Sequence, residues 1–582
     1  METYINSKTK TNASLTNQTV KPRKVFAEKR ALIRKRFVTG PMLALVFLCS
    51  FAYIFFHVLV VWQQPVYVIV LTEIAIFLLI WNKFYQMVFD LKLLFFFNNS
   101  YDSGESFPAN TAYPTITFII PSYHEPFAVA KMTFDSIIKA PYKGRKDIIV
   151  VDNSRDIHSD DFITLKNYVE TYGVLHPEEQ VTSRFIYNTE QGKLKPGNLD
   201  LGWLHVEDSE YVVILDVDST LPANGELLEK AVAEFMADGK LGFLQFTIRA
   251  TNNHFNDLTQ SVAASQDLHR LRLSSRSYGG YKIFEGHNGM WRTSVLDKIG
   301  AWTDYYKGNI MVTEDILKSA LVYANGYYGK TLHIPTGEWV PCSLNALESM
   351  WMRWTYGTSQ VLFKYFREIY CKYISVTEKF DITFHILNHL VNGFIFPVAI
   401  LLQWFMPGMA ANLFLLVGYL VPQLIGIFAI YFTSVSKLKE PLFKRIKYVY
   451  AAFFLIDTFT MFTQLKSTLN FLAGVPQGWK VTAKGVEHST KWKELLLSKS
   501  FHIVLALIGI LVCAASWIVH YGANPAQLGQ FALLLFMSIN VLLCIAVFGK
   551  DRHQELNNVD SAAIDGQEAT AIDMQEYKFD VA

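Results

Sequence analysis

The chain has 582 residues, of which 51% are hydrophobic, 15% aromatic and only 18% charged. This composition excludes an ordinary cytosolic enzyme, and the length allows two or more domains. The net charge of +2 excludes a polyelectrolyte, so nucleic acid is not an expected partner. The five cysteines form no close pair and no metal-ligand spacing, which indicates reduced thiols.

Six apolar segments are long enough to cross a bilayer, which takes about 20 residues. They occur in pairs at 41–62 and 66–89, at 384–407 and 411–433, and at 500–521 and 526–548. Buried helices of a large soluble protein are the alternative, but six such segments in pairs favour a membrane protein. The apolar stretch 448–473 contains Asp457 and Lys466 and has basic flanks, so we interpret it as an amphipathic interface helix.

Lysine and arginine residues near the spans predict the orientation of the chain in the membrane. The basic stretch 21–36 places the N-terminus in the cytoplasm, and no secretory signal precedes the first span. Two spans return the chain to that side, so the polar middle and both termini are expected in the cytoplasm, in a multi-pass protein of the cell membrane.

This topology divides the chain into seven predicted parts. They are a basic tail, two spans, a cytosolic domain with an interface helix near 345–370, two spans, an interface helix with a loop, two spans and an acidic tail, at 1–40, 41–90, 91–383, 384–433, 434–498, 499–548 and 549–582. The acidic composition of the last part is typical of a disordered tail.

Strands and helices alternate from residue 115. The runs ITFIIP, KDIIVVD, SRFIYN and YVVILD are predicted strands, and FAVAKMTFDSIIKA is a predicted helix. Continuous apolar strands that alternate with helices are typical of a mostly parallel sheet covered on both faces. Such sheets bind ligands at the carboxyl ends of their strands. No G-x-G-x-x-G follows the first strand, which disfavours a Rossmann dinucleotide fold.

Polar residues follow three of these strands, at PSYHE (121–125), DNS (152–154) and DVD (216–218). In an extended strand residues i and i+2 share a face, so Asp216 and Asp218 are expected to point the same way. Mg²⁺ is usually held by one or two carboxylates together with substrate phosphates. The pair therefore predicts a Mg²⁺ or Mn²⁺ site for a nucleotide diphosphate, and the alternative is a solvated acidic turn.

These motifs and their order resemble the family-2 glycosyltransferases, in particular the membrane-embedded cellulose, hyaluronan and chitin synthases. The resemblance covers about 115–500 and the flanking membrane helices. It implies a GT-A-like α/β domain with a mostly parallel sheet, inserted between about six transmembrane α-helices with amphipathic interface helices. It also implies that the UDP-sugar is contacted by Tyr123, Glu125, Asp152, Lys195, Asp216, Arg353, Thr482 and Lys484, and the metal by Asp216 and Asp218.

Two segments resemble the acceptor-side and catalytic motifs of this family. FEGHNGMWR (284–292) is similar to the segment often written G-T-N, which implies His287 and Asn288 as acceptor contacts, with His287 in place of the usual Thr. VTEDI (312–316) resembles the T/G-E-D motif. That similarity implies Thr313, Glu314 and Asp315 as catalytic residues, with Asp315 as the general base.

Two further segments resemble motifs that contact the diphosphate and the acceptor. WMRW (351–354) is similar to the end of Q-x-x-R-W, which implies Arg353 on the diphosphate and Trp354 on the acceptor sugar. The glutamine of that motif, a mark of processive enzymes, falls on Met350. WKVTAK (479–484) resembles the gating loop F-x-V-T-x-K, with Trp479 in place of Phe.

Each of these motifs also has a structural interpretation. Asp152 is equally compatible with a turn after a strand, and Lys195 with an ordinary surface lysine. Acidic residues such as Glu314 and Asp315 favour the first turn of a helix because of its dipole. The segment around Arg353 and Trp354 also has the pattern of a helix that lies on a membrane.

The resemblance predicts a processive, inverting, metal-dependent hexosyltransferase. It would polymerise a UDP-sugar, with UDP-glucose and a β-glucan as the first expectation, onto a growing polysaccharide that leaves through its own membrane channel. A transferase that moves one sugar to a lipid acceptor is the alternative, and a transporter is a more distant one. The expected partners are the donor, the growing polysaccharide, the lipid bilayer and either a second copy of the chain or cell-envelope export proteins.

Overall fold

The computed structural model describes most of the chain between residues 48 and 549. The described residues are 48–96 apart from 53, 57, 60, 61 and 64, then 107, 112–175, 180–223, 225–275, 281–405, 411–433, 441–477 and 492–549. The predicted basic and acidic tails and the gating loop lie outside them.

The helices and strands follow one another in the alternating order predicted for an α/β domain, flanked by long helices. The strands are β1 (Ile116–Ser122), β2 (Lys146–Asp152), β3 (Val181–Tyr187), β4 (Tyr211–Ile214), β5 (Leu241–Ala250), β6 (Gly289–Arg292), β7 (Tyr305–Tyr306), β8 (Asn309–Ile310) and β9 (Tyr328–Glu338). The helices of the α/β domain and its edge are α2 (Phe127–Lys139), α3 (Asp160–Leu175), α4 (Leu194–Leu204), α5 (Leu227–Ala237), α6 (Asp257–Ser275), α7 (Thr293–Ile299), α8 (Glu314–Ala324), α9 (Leu344–Lys364) and α10 (Phe366–Ile369). The flanking helices are α1 (Val66–Phe96), α11 (Val376–Phe405), α12 (Ala411–Thr433), α13 (Leu442–Leu472), α14 (Trp492–Ser498), α15 (Ser500–Tyr521) and α16 (Ala532–Phe548).

Seven strands form one sheet in the order β3-β2-β1-β4-β6-β5-β9. The pairs among β3, β2, β1 and β4 are parallel, as is the pair of β5 and β9. Strand β6 is antiparallel to both of its neighbours. The mostly parallel sheet predicted from the apolar runs is therefore confirmed, and β5, β6 and β9 extend it.

Both faces of the sheet are buried, as the continuous apolar strands predicted. Phe118, Ile120 and Ile148 face a core formed with α2, α3 and α5. Ile119 and Ile149, which alternate with them, face a second core formed with α4 and α7. Because successive strand residues point to opposite faces, a strand covered on both sides has no polar alternation.

Among the described residues, three helices are long and apolar enough to cross a membrane, at Glu378–Phe405, Leu442–Leu472 and Ser500–Tyr521. Two of them match predicted spans. Shorter apolar helices occupy Gly418–Phe432 and Ala532–Phe548. These helices indicate a membrane protein, and the span count of about six is not confirmed.

The helix Leu442–Leu472 contains the stretch that we interpret as an interface helix. By length and composition it qualifies as a span, and 78% of its most apolar window is buried inside the protein. A π-helical turn at Ala451–Ile456 precedes Asp457, which forms an ion pair with Lys83 at 3.2 Å. The interface assignment therefore stays a prediction.

Candidate active site

An open cleft of about 230 Å³ lies at the edge of the sheet where β1, β2 and β4 end and β6 begins. Its wall contains most of the residues that the sequence predicted, which come from widely separated parts of the chain. They are Tyr123, Glu125, Lys195, Asp216, Asp218, His287, Thr313, Glu314, Asp315, Arg353 and Trp354. The cleft is thus the single candidate site that these motifs share within the described residues.

The two aspartates of the D-x-D segment are not part of a strand, which corrects the prediction. Strand β4 ends at Ile214, and the backbone N–H of Ser219 donates to the carbonyl of Asp216 at 2.9 Å, closing a turn. Val217 is buried in the core between them, and Asp218 is only 5% exposed. The strand alternation that would align the two carboxylates therefore does not apply, yet both residues line the cleft.

Lys195 connects the D-x-D turn to the predicted catalytic acids. Its ammonium lies 2.5 Å from Oδ1 of Asp216 and 3.9 Å from Oε1 of Glu314, and donates to the carbonyl of Gly286 at 3.2 Å. Burial by itself would lower the pKa of Lys195, but Asp216 and Glu314 outweigh it and raise that pKa. Lys195 therefore carries a positive charge at the centre of the cleft.

Asn198, which sequence reasoning missed, holds the helix of Lys195 against the sheet. It lies one turn after Lys195 on α4 and is buried. Its amide donates to the carbonyls of Ser122 at 3.1 Å and Val151 at 3.2 Å, at the ends of β1 and β2. The spacing K-P-G-N, which puts both side chains on adjacent turns of one helix, is the signal that could have revealed it.

Glu314 and Asp315 begin helix α8, after the buried Thr313. Burial raises the pKa of Glu314 to about 7, against the opposing effect of Lys195. Burial also raises the pKa of Asp315, although the backbone N–H of Ile316 donates to its Oδ1 at 2.8 Å. Burial thus makes both carboxylates more basic than exposed ones, which suits acid–base chemistry.

Gly286 brings the β6 loop against Asp315. Its φ of +90° belongs to the region that favours glycine, and a Cβ atom there would lie 3.3 Å from Oδ2 of Asp315. The backbone can therefore approach the predicted base directly, and the carbonyl of the same residue accepts from Lys195.

Helix α9 carries Met350, Arg353 and Trp354 into the cleft. The helix approaches the Thr313 loop closely, because a Cβ atom at Gly357 would lie 2.5 Å from the Thr313 side chain. The Gln360 side chain fixes the same loop by accepting from the N–H of Val312 at 3.2 Å. The positive charge of Arg353 acts on Lys195, Glu314 and Asp315 across the cleft.

A cluster around His287 forms the wall next to β9. The Nε2 atom of His287 lies 3.5 Å from Oε2 of Glu338, which also pairs with Arg270. Its Nδ1 atom lies 3.5 Å from the Ser219 hydroxyl beside the D-x-D turn. Sequence reasoning missed Glu338, although it ends a strand at the same edge of the sheet and precedes Trp339, another cleft residue.

Two predicted contacts lie outside the cleft wall. Asp152 is buried, and its Oδ1 accepts from the N–H of Ser154 at 2.7 Å. The Asn288 amide is fully buried and donates to the Thr336 hydroxyl at 2.9 Å and the Gly337 carbonyl at 3.0 Å. The observed bonds of Asp152 and Asn288 are structural, and their ligand contacts stay predictions. Thr482 and Lys484 lie outside the described residues.

Two family models match the chain, and the matched residues include the α/β domain described above. The model described as "Glycosyl transferase family 2" matches residues 117–300. The model described as "Glycosyl transferase family group 2" matches residues 211–543, which is more than half of the chain. The chain belongs to this family. The resemblance inferred from the motifs, and the GT-A-like α/β fold that it implied, are thereby confirmed.

Among curated relatives of this glycosyltransferase are two plant proteins. "Probable glucomannan 4-beta-mannosyltransferase 6" of Oryza sativa subsp. japonica is 24% identical over 64% of this chain and 63% of its own length. "Glucomannan 4-beta-mannosyltransferase 7" of Arabidopsis thaliana is 26% identical over 44% of each chain. The match therefore spans less than two thirds of either relative.

Among solved structures, the mannosyltransferase PcManGT from Pyrobaculum calidifontis, in complex with GDP-Man and Mn²⁺, is similar over 69% of this chain and 99% of its own. The TM-score is 0.47 and the sequence identity 18%.

The residues of the D-x-D turn fit a divalent cation. Asp216 and Asp218 supply two carboxylates to one cleft, which is the number that Mg²⁺ usually takes from a protein when substrate phosphates complete its shell. Within the described residues, no group of three or more His, Cys, Asp or Glu side chains is arranged to hold a metal. The donor set therefore suits a cation that arrives with a phosphorylated ligand.

Proposed function

We propose that this glycosyltransferase is a processive, inverting hexosyltransferase that builds a β-linked polysaccharide from a nucleotide-diphosphate sugar. The observation that carries the proposal is the convergence of Lys195, Asp216, Asp315 and Arg353 on one cleft. These residues supply an acid–base group and positive charge where a diphosphate can leave. Apolar helices of membrane-spanning length adjoin the helix that carries Arg353.

The chemistry follows from the charges of the cleft. The departing diphosphate gains negative charge in the transition state, and Arg353 and Lys195 stabilise it from fixed positions. The acceptor hydroxyl must lose its proton as it attacks the anomeric carbon, and the Asp315 carboxylate takes that proton. Direct displacement inverts the configuration at the anomeric carbon, so an α-linked donor gives a β-linked product.

A divalent cation at Asp216 and Asp218 would neutralise charge on the donor diphosphate. Tyr123 and Glu125, which line the cleft beyond the end of β1, would contact the nucleoside. Thr313 and Glu314 support Asp315 in this proposal. Trp354 and His287 would contact the acceptor sugar, since an aromatic ring offers a rigid apolar surface to the C–H face of a sugar.

The names of the relatives favour a mannosyl donor over the UDP-glucose that we first expected. One is named a glucomannan 4-beta-mannosyltransferase and the other a probable one, and each is matched over only part of its length. We therefore infer a hexose polymer with β-mannosyl units as the leading product. The glucan expectation has no support from these relatives.

The proposed orientation keeps the cleft in the cytoplasm, where nucleotide sugars are made. Polymer exit through the adjoining helices remains part of this proposal. Single-sugar transfer to a lipid acceptor is the second candidate. It is favoured by Met350, an apolar residue that lines the cleft where processive synthases carry the glutamine of their motif.

The decisive experiment supplies the detergent-purified full chain with Mn²⁺ or Mg²⁺ and a panel of GDP- and UDP-hexoses. Release of nucleotide diphosphate and the size of the labelled product are measured together. Label in long polymer supports the processive synthase and names its donor. Label confined to lipid or short products favours the second candidate, and no turnover with any donor contradicts both.

Asp315→Asn tests the catalytic assignment in the same assay. The expected loss is about 10²–10⁴-fold in turnover, which is the usual contribution of a general base. Glu207→Gln is the matched control, because the Glu207 side chain is 70% exposed and forms a surface ion pair with Arg184 at 3.0 Å. Full activity of the Asp315→Asn variant would contradict the assignment.

A further inference from the structure

Glu348 on helix α9 is held by two lysines from the flanking helices. Its Oε1 accepts from Lys466 of α13 at 2.7 Å, and its Oε2 accepts from Lys499, just before α15, at 2.5 Å. The Lys499 ammonium also donates to the carbonyl of Leu344, in the first turn of α9, at 3.4 Å. Two separate chain segments thus bind the first half of α9 through the Glu348 carboxylate.

The Lys499 and Glu348 side chains are buried away from water, so their opposite charges interact strongly. The Lys499 side chain is 0% exposed and that of Glu348 is 9% exposed. Burial by itself would raise the pKa of Glu348, but Lys499, His502 and Lys466 outweigh it and hold that pKa at about 2. Removal of the carboxylate would take away the charge that opposes the buried Lys499 ammonium in this ion pair, and breaking one side of a buried ion pair is costly.

A hydrogen bond to the backbone of α9 attaches this helix to α13 at a second point, closer to Arg353. The Ser467 hydroxyl of α13 donates to the carbonyl of Met352 at 2.7 Å. Met352 precedes Arg353, and Glu348 lies five residues before Arg353 on the same helix. Any movement of α9 relative to α13 and α15 therefore moves Arg353 and Trp354 within the cleft.

We propose that Glu348 is a positioning residue that fixes α9 on the flanking helices and thereby sets how long the acceptor stays engaged between additions. The inference rests on the proposed function, in which Trp354 contacts the acceptor. If α9 keeps one position relative to the flanking helices, the distance between Trp354 and Asp315 stays the same through successive sugar transfers. Small displacements of the groups that position or activate a substrate reduce the reaction rate many-fold.

Glu348→Gln tests this role with product length as the readout. The variant is expected to shorten the mean product at least fivefold. Donor KM is expected to rise with it, because Arg353, a proposed diphosphate contact, lies on the same helix. A structural role alone would lower the amount of active enzyme and leave product length unchanged. That outcome would overturn the proposal.

Lys364→Met is the matched control on the same helix. Lys364 pairs with Asp304 at 2.6 Å at the far end of α9, where both side chains are about a quarter exposed or more. Exposed pairs contribute little, so product length should match that of the parent.

Hydrogen exchange provides a readout that needs no activity. In Glu348→Gln, backbone amides of α9 up to Trp354 should exchange at least tenfold faster, while those of β1 and β2 keep the parent rate. Equal exchange in α9 would overturn the proposal, as would a uniform increase across the sheet. A parent chain that transfers no sugar would contradict the proposed function instead, which separates the two failures.

Discussion

The ammonium nitrogen of Lys195 lies 2.5 Å from Oδ1 of Asp216, in the cleft at the carboxyl end of the sheet. Glu314 lies 3.9 Å from the same nitrogen on the opposite side. One cation thus joins the D-x-D turn to the T-E-D segment. Because both acids are close, the proposed function predicts that the charge of Lys195 affects donor binding and catalysis together.

Lys195→Met should weaken donor binding and shift the pH dependence of turnover. Lys195 lowers the pKa of the buried Glu314, so its removal raises that pKa further. If ionised Glu314 is needed, the acidic limb of the pH profile then moves to higher pH, and donor KM rises about tenfold. Steady-state kinetics between pH 5 and pH 9 measure both effects. Lys193→Met is the control, because Lys193 belongs to a partly exposed pair with Glu190 at 2.6 Å.

Glu314→Gln should stabilise the protein at alkaline pH while it impairs turnover. Burial raises the pKa of Glu314 from 4.5 to about 7. Between these values the folded state keeps a proton that the unfolded state has lost, so stability falls as the pH rises through this window. Because glutamine does not ionise, the variant avoids this loss of unfolding free energy, which is about 1–3 kcal/mol above pH 7. Thermal unfolding should show a higher Tm at pH 8 and equal values near pH 4; a constant difference would contradict the assignment.

Gly286→Ala should reduce both stability and activity. The alanine Cβ would lie 3.3 Å from Oδ2 of Asp315, and the residue would keep a φ of +90°. Such backbone strain costs about 1–3 kcal/mol. Gly239→Ala is the matched control, since no atom lies within 4 Å of its added Cβ. Thermal unfolding and nucleotide release compare the two variants, and equal behaviour would show that the Gly286 approach to Asp315 is dispensable.

Asp218→Asn should raise the concentration of Mn²⁺ needed for half-maximal turnover by about 10–100-fold. One of the two carboxylates that suit the cation is then neutral, while substrate phosphates still contribute to its shell. Titration of Mn²⁺ into chelator-treated enzyme at fixed donor concentration gives this value. The same titration on Asp161→Asn, whose carboxylate accepts from the N–H of Phe127 away from the D-x-D turn, should match the parent. An unchanged requirement in Asp218→Asn would remove Asp218 from the metal site.

Local patterns in the sequence identified the sheet and most of the cleft. The apolar runs that form β1, β2 and β4 predicted their own burial, because a strand covered on both sides is apolar throughout. Polar residues placed at the ends of such runs meet at one edge by the geometry of parallel strands. Tyr123 and Asp216 accordingly line one cleft, and Asp315, which the resemblance implied, lines it from the first turn of a helix. Their individual roles stay predictions.

The same local reasoning was wrong about the D-x-D segment itself. Its apolar neighbours favoured a strand through Asp216, but β4 ends at Ile214 and a turn closed by Ser219 follows. The antiparallel strand β6 pairs with β4 only as far as Gly289 opposite Ile214. Where a strand ends therefore depended on a partner that lies more than seventy residues away in the chain, which no local pattern encodes.

The sequence by itself determined which segments are apolar, which polar residues follow the apolar runs and which family the chain belongs to, because these properties reside in short contiguous stretches. Only the tertiary structure decided which charges meet. Lys195 faces Asp216 and Glu314, and Glu348 is gripped by Lys466 and Lys499, across separations of up to 151 residues. Such pairs form because packing of the helices excludes water, so a buried charge is stable only when side chains of opposite sign lie close to it.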